Sequence, residues 1–81
     1  MRILFTPHFS RSYRKAPLKI QQAFDKQSFL LLQNLRHPSL HAKKYDEGED
    51  KWQARVNQDW RFYFKIDGDT YLMTDIIPHP K

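Results

Sequence analysis

The chain has 81 residues, 40% of them hydrophobic, with six Phe, four Tyr, two Trp and no Cys. That length allows one small-cored domain over residues 1–81, and the composition excludes disorder, disulfides and thiolate metal sites. The net charge is +5 and unevenly placed: residues 1–44 carry nine Lys/Arg against Asp25 alone (+8), and residues 45–81 carry five against eight acids (−3). Such asymmetry favours a polyanion or an acidic protein as partner, although an ordinary solvated basic surface is the plainer alternative.

Residues 3–5, Ile3-Leu4-Phe5, form a short β-prone run. Thr6 before Pro7 has the pattern of a helix cap followed by the first helical position. Phe9, Tyr13 and Ala16 then recur at spacings of four and three, one face of a helix, with Arg11, Arg14 and Lys15 away from that face. Pro17 lacks an amide donor and would clash inside a helix, so it opens a second one, residues 17 to about 34. Ile20, Ala23, Phe24, Leu30 or Leu31, and Leu35 are its buried stripe, interrupted by Gln27. Leu18, Phe29 and Leu32 fall outside the stripe and are expected to pack on the first helix, the alternative being a patch for a partner.

Residues 35–50 are loop-like, ending in the acidic turn Asp46-Glu47-Gly48-Glu49-Asp50. Beyond them the pattern alternates as strands do. Trp52, Ala54 and Val56 point one way, Gln53 and Arg55 the other. After the turn Asn57-Gln58-Asp59, residues Trp60, Phe62, Phe64 and Ile66 point to the core, and Arg61, Tyr63 and Lys65 outward. Asp67-Gly68-Asp69 is a hairpin signal. Residues 71–77 are a last strand, stopped by Pro78 and Pro80. The order β-α-α-β-β-β predicts an α+β domain, two helices on one face of a small, mainly antiparallel sheet, with Arg55, Arg61, Tyr63 and Lys65 on the other. No run approaches the ~20 apolar residues of a membrane span. The start lacks a secretion signal, so a cytoplasmic protein is expected.

Several stretches, in this order, resemble the RelE/ParE toxin superfamily across nearly the whole chain. They are Phe5-Thr6-Pro7-x-Phe9, Pro17-x-x-Ile20-x-x-Ala23-Phe24, Arg36-His37-Pro38-Ser39-Leu40, Trp52-Gln53-Ala54-Arg55-Val56, Trp60-Arg61-Phe62-Tyr63-Phe64-Lys65-Ile66 and Asp75-Ile76-Ile77-Pro78-His79-Pro80. The resemblance implies the toxin of a type II toxin–antitoxin system, neutralised by a cognate antitoxin. The RelE, YoeB, YafQ and HigB branches cut mRNA in the ribosome without metal or cofactor, whereas the ParE branch inhibits DNA gyrase. A degenerate toxin that only binds its antitoxin is a third possibility. No Tyr or Phe follows the last strand, where several ribosome-dependent members carry one, so the resemblance does not extend to stacking by the tail.

Metal-free RNA cleavage needs a group to take the 2′-hydroxyl proton, cations for the charge on phosphorus, and an acid for the departing 5′-oxygen. An ordinary imidazole titrates near ~6.5 and serves in either proton role. The resemblance places a catalytic His at His79, an Arg or His at Arg55 and an Asp at Asp59. Guanidinium forks suit phosphate, which nominates Arg55 and Arg61. Their plainer roles are solubilising the sheet or pairing with Asp59 and Asp75. His37 and His41 flank a Pro-containing loop and are candidate assisting bases, His37 matching the family position better. Lys43, Lys44 and Lys65 are expected to bind RNA, Tyr63 to stack on a base, and Arg11, Arg14, Lys15 and Lys19 to meet ribosomal RNA or serve as a solvated helix face. His8, His37, His41 and His79 lack compact ligand spacing, so no metal site is expected.

Overall fold

A computed structural model describes residues 1–79. Thr6 caps the first helix as its position suggests: its hydroxyl accepts from the Phe9 backbone N–H at 3.1 Å, and Pro7 takes the first helical position. This helix, α1 (Pro7–Lys15), ends where Ala16 turns extended before Pro17, and α2 (Leu18–Gln33) begins immediately after. Gln21 bridges the corner, donating to the carbonyls of Tyr13 and Ala16.

The strands are β1 (Arg2–Phe5), β2 (Lys43–Asp46), β3 (Lys51–Arg55), β4 (Trp60–Asp67) and β5 (Thr70–Pro78). They form one sheet in the order β1-β5-β4-β3-β2, with β1 parallel to β5 and every other pair antiparallel. The last three strands make the expected meander. Gly68 turns the β4–β5 corner at φ +57, a conformation an L side chain resists. Pro80, read as a stop for the sheet, lies outside the described residues.

The inner face of the sheet supplies Ala54, Phe62, Phe64, Met73 and Ile76, and the helices supply Phe9, Ile20, Phe24 and Leu31, all buried. Phe24 joins the layers, its ring edge-on to Phe62 with centroids 5.1 Å apart, while it also meets Phe9 and Tyr13. Each such ring contributes roughly 1.5–3 kcal/mol by leaving water, so this cluster organises the fold.

Three expectations need correcting. Residues 43–46 form a fifth strand rather than loop: β2 carries no apolar alternation and is held by its register with β3, Lys43 opposite Gln53 and Lys44 opposite Trp52. Leu18, Phe29 and Leu32 do not pack on α1; they are 67%, 61% and 41% exposed on the outer side of α2. Gln27 does not break the buried stripe but lies in it, 7% exposed, with its amide fully bonded.

Candidate functional site

Strand register assembles the site. Arg55 stands directly opposite Arg61 across β3 and β4, and Arg61 opposite Ile77 on β5. The next row on the same face is Lys43, Gln53, Tyr63 and Asp75. Because successive strand residues alternate faces, these rows lie on the side of the sheet away from the helices. His41, Lys43, Gln53, Arg55, Arg61 and His79 line one open cleft of about 440 Å³ at its end. Among the described residues no carboxylate lines it.

Two local structures deliver the imidazoles. A single 3-10 turn, Pro38–Leu40, is pinned by the fully buried Leu40, and His41 follows it in the left-handed conformation at φ +46, which swings the chain into β2. At the other end, the His79 backbone N–H donates to the Asp59 carbonyl at 2.7 Å, fastening the tail to the β3–β4 turn.

That turn is itself organised by Arg61. Its Nη1 donates to the carbonyls of Asn57, Gln58 and Trp60 at 2.8, 3.1 and 3.0 Å, and the residue is only 7% exposed. Arg61 is therefore not the outward, freely exposed cation that alternation suggested. Its Nη1 is committed to the backbone, which leaves Nε and Nη2 to the cleft that the residue lines. Arg55 differs. Its carbonyl accepts from the Gln27 side chain at 3.0 Å, but among the described residues no ion pair or hydrogen bond occupies its guanidinium. Neither arginine pairs with Asp75, which instead meets His8, Nε2 to Oδ2 at 3.2 Å.

The other candidates separate. His37 does not line the cleft: its Nδ1 accepts from the Ser39 N–H at 3.2 Å, capping the 3-10 turn, so His41 is the loop histidine that reaches the arginines. Lys44 faces the opposite side from Lys43. It lies 5.9 Å from the Trp52 ring and pairs with Asp50 at 2.9 Å and Glu47 at 3.7 Å, contacts that raise its pKa, the Asp50 hydrogen bond most. Acids within its own hairpin thus occupy it. Arg11, Arg14 and Lys15 belong to the helical layer and none reaches the cleft; Arg14 instead edges an apolar hollow walled by Phe5, Phe9, Tyr13 and Phe24.

Tyr63 and Lys65 border a second depression on the cleft's face, of about 560 Å³, together with Tyr45, Lys51 and Asp75. Tyr45 and Tyr63 meet edge to face at 5.3 Å. Burial, and then the neighbouring Tyr45, push the Tyr63 phenol pKa up, so it keeps its proton. Gln53 and Tyr45 were not singled out from the sequence. Gln53 was legible, since it shares its strand face with Arg55 two residues away; Tyr45 was not, because the register shift between Lys44 and Asp46 decides its direction.

Two imidazoles, two guanidiniums and an ammonium converging with no carboxylate among the described residues can hold a phosphodiester and move protons at its two ends. Among the described residues no group of three or more His, Cys, Asp or Glu is placed to hold a metal ion, and no helix is long and apolar enough to cross a membrane.

No family model matches the sequence, and no curated protein matches it either. Solved structures do match in fold. The YoeB dimer from Staphylococcus aureus is similar at a TM-score of 0.80 and 14% identity, covering 99% of this chain and 98% of that one. YafQ from E. coli gives 0.79 and 17%, covering 95% and 91%. The RelB–RelE antitoxin–toxin complex from Methanococcus jannaschii gives 0.74 and 19%, covering 93% and 88%. The fold of this chain, a two-helix layer on a β1-β5-β4-β3-β2 sheet, is therefore the one these YoeB, YafQ and RelE structures share.

Proposed function

We propose that this protein is the toxin of a type II toxin–antitoxin pair and that it cuts mRNA on the ribosome without a metal ion or cofactor. The observation that carries this reading is the meeting of Arg55, Lys43, His41 and His79 in one cleft that no carboxylate of the described residues lines. In the reaction His41 takes the proton of the 2′-hydroxyl, whose oxygen attacks phosphorus. Arg55 and Lys43 stabilise the added charge on the phosphorane. The bond from phosphorus to the 5′-oxygen breaks, and His79 gives that oxygen a proton. The products are a 2′,3′-cyclic phosphate and a 5′-hydroxyl end. Arg61 mainly holds the turn to which His79 is tied, and Tyr63 with Tyr45 offers ring faces for an unstacked base.

A small antitoxin is the expected protein partner, as in the RelB–RelE complex, and the exposed Leu18, Phe29 and Leu32 on α2 supply apolar surface for it. The cell compartment that fits this activity is the cytoplasm, where ribosomes and mRNA meet.

Controlled expression in a bacterium, with primer extension on a reporter message, tests the reading. Cuts within translated regions are expected. His79→Ala and Arg55→Ala, each folded by circular dichroism, should both relieve growth arrest. Arrest with intact message and a DNA-damage response would instead indicate gyrase inhibition, and no toxicity at all would leave an antitoxin-binding module.

A further inference from the structure

The cleft does not end at Arg55 and His41. Both residues also line a second groove, of about 500 Å³, that runs on between α2 and the β3–β4 turn. Its walls are Lys26 and Gln27 from α2 and Asn57 and Gln58 from the turn, over a floor containing Ala23 and Val56. Among the described residues no carboxylate lines this groove either, and no ion pair occupies Lys26. The Asn57 amide is oriented: its Oδ1 accepts from the backbone N–H groups of Asp59 and Trp60 at 2.8 and 2.9 Å, which leaves Nδ2 to donate. Gln58 is exposed beside it.

We propose that this groove is a further nucleotide subsite, continuous with the cleft over the Arg55–His41 saddle, which takes the residue of a single-stranded RNA next to the dinucleotide whose phosphodiester is held in the cleft. This deepens the nuclease reading and rests on it. Lys26 meets the backbone phosphate as a point charge. The base lies against Ala23 and Val56 and is read along its edge by the Asn57 and Gln58 amides, which is how unstacked RNA bases are recognised. Sequence preference at this position then resides in a turn and a helix outside the reacting cleft.

The test uses the full chain and 2′-O-methyl oligonucleotides, which cannot be cleaved because the attacking hydroxyl is blocked. Fluorescence anisotropy compares a dinucleotide with a tetranucleotide. The longer probe should bind more tightly. Lys26→Ala and Gln58→Ala, both exposed positions whose folding circular dichroism will verify, should each reduce that gain by about three- to tenfold. Lys26→Ala alone should also lower the salt dependence, by about 0.7 in the log–log slope expected for one single-strand phosphate contact. Arg55→Ala serves as the reference for the cleft. If it weakens both probes while the Lys26 and Gln58 variants keep the full gain, the groove is not a subsite and the cleft stands. If Arg55→Ala alters neither probe, both readings fall together.

Discussion

The side-chain amide of Gln27, buried in the middle of α2, donates to the backbone carbonyl of Arg55 at 3.0 Å. The same Nε2 reaches the Ser39 carbonyl at 3.1 Å, and the Ser39 hydroxyl returns a bond to Gln27 Oε1 at 3.3 Å. One side chain therefore ties the strand that carries Arg55 to the turn that delivers His41. Gln27→Leu keeps the volume but strands two carbonyls. A buried unpartnered polar group costs about 1–3 kcal/mol, so a loss in that range is expected on urea denaturation. RNA cleavage should fall further than stability alone explains, measured at a temperature where the variant is fully folded.

The two arginines should part company on substitution. Arg61→Ala removes the donor from three carbonyls of the β3–β4 turn and should destabilise the fold by about 2 kcal/mol. Arg55→Ala breaks no bond of its guanidinium and should leave stability within about 0.5 kcal/mol, yet lower cleavage by about 10²-fold or more. Thermal melts beside a single-turnover cleavage assay separate these outcomes, and equal stability losses for the two variants would contradict the assignment.

Neighbouring lysines should behave oppositely. Lys43→Ala removes a cation of the cleft and should weaken RNA binding with a shallower salt dependence. Lys44→Ala removes a cation already paired with Asp50 and Glu47 on the other side of β2, and RNA affinity should stay as it is. Anisotropy titrations across a range of salt concentrations distinguish them.

Alkaline pH should unfold the protein earlier than an exposed-tyrosine protein of similar stability. Burial raises the phenol pKa values of Tyr13, Tyr63 and Tyr71 above 10. A group whose folded pKa is raised contributes stability that is complete below its unfolded value near ~10, and that contribution is lost as pH rises through the folded values. Denaturation midpoints should hold steady below about pH 10 and drop beyond it. The phenolate absorbance of Tyr13, Tyr63 and Tyr71 should then rise together with loss of the far-ultraviolet signal rather than ahead of it.

The elements legible in the sequence were those with strong local chemistry. Thr6-Pro7 marked the start of α1, the alternation from Trp60 to Ile66 marked β4, and Asp67-Gly68-Asp69 marked the last hairpin. Strand β2 was hidden because Lys43-Lys44-Tyr45-Asp46 has no alternation of its own and owes its shape to β3. Alternation gave Arg61 its face but not its depth, since turn carbonyls, not the strand, draw its guanidinium inward. Loop spacing could not choose between His37 and His41. The choice rests on the left-handed step at His41 and the cap made by His37. Phe24 and Gln27 lie one helical turn apart on the same face. The sequence announced the first as core and disguised the second as a flaw.

The sheet has helices on one side and the cleft on the other. A protein seated on Leu18, Phe29 and Leu32 would therefore leave Arg55 and His41 uncovered, and both surfaces could be occupied at once. If the protein cuts mRNA on the ribosome as proposed, such a guest would silence it through bulk, by making it too wide for a narrow decoding channel, and short free RNA would still find its way in.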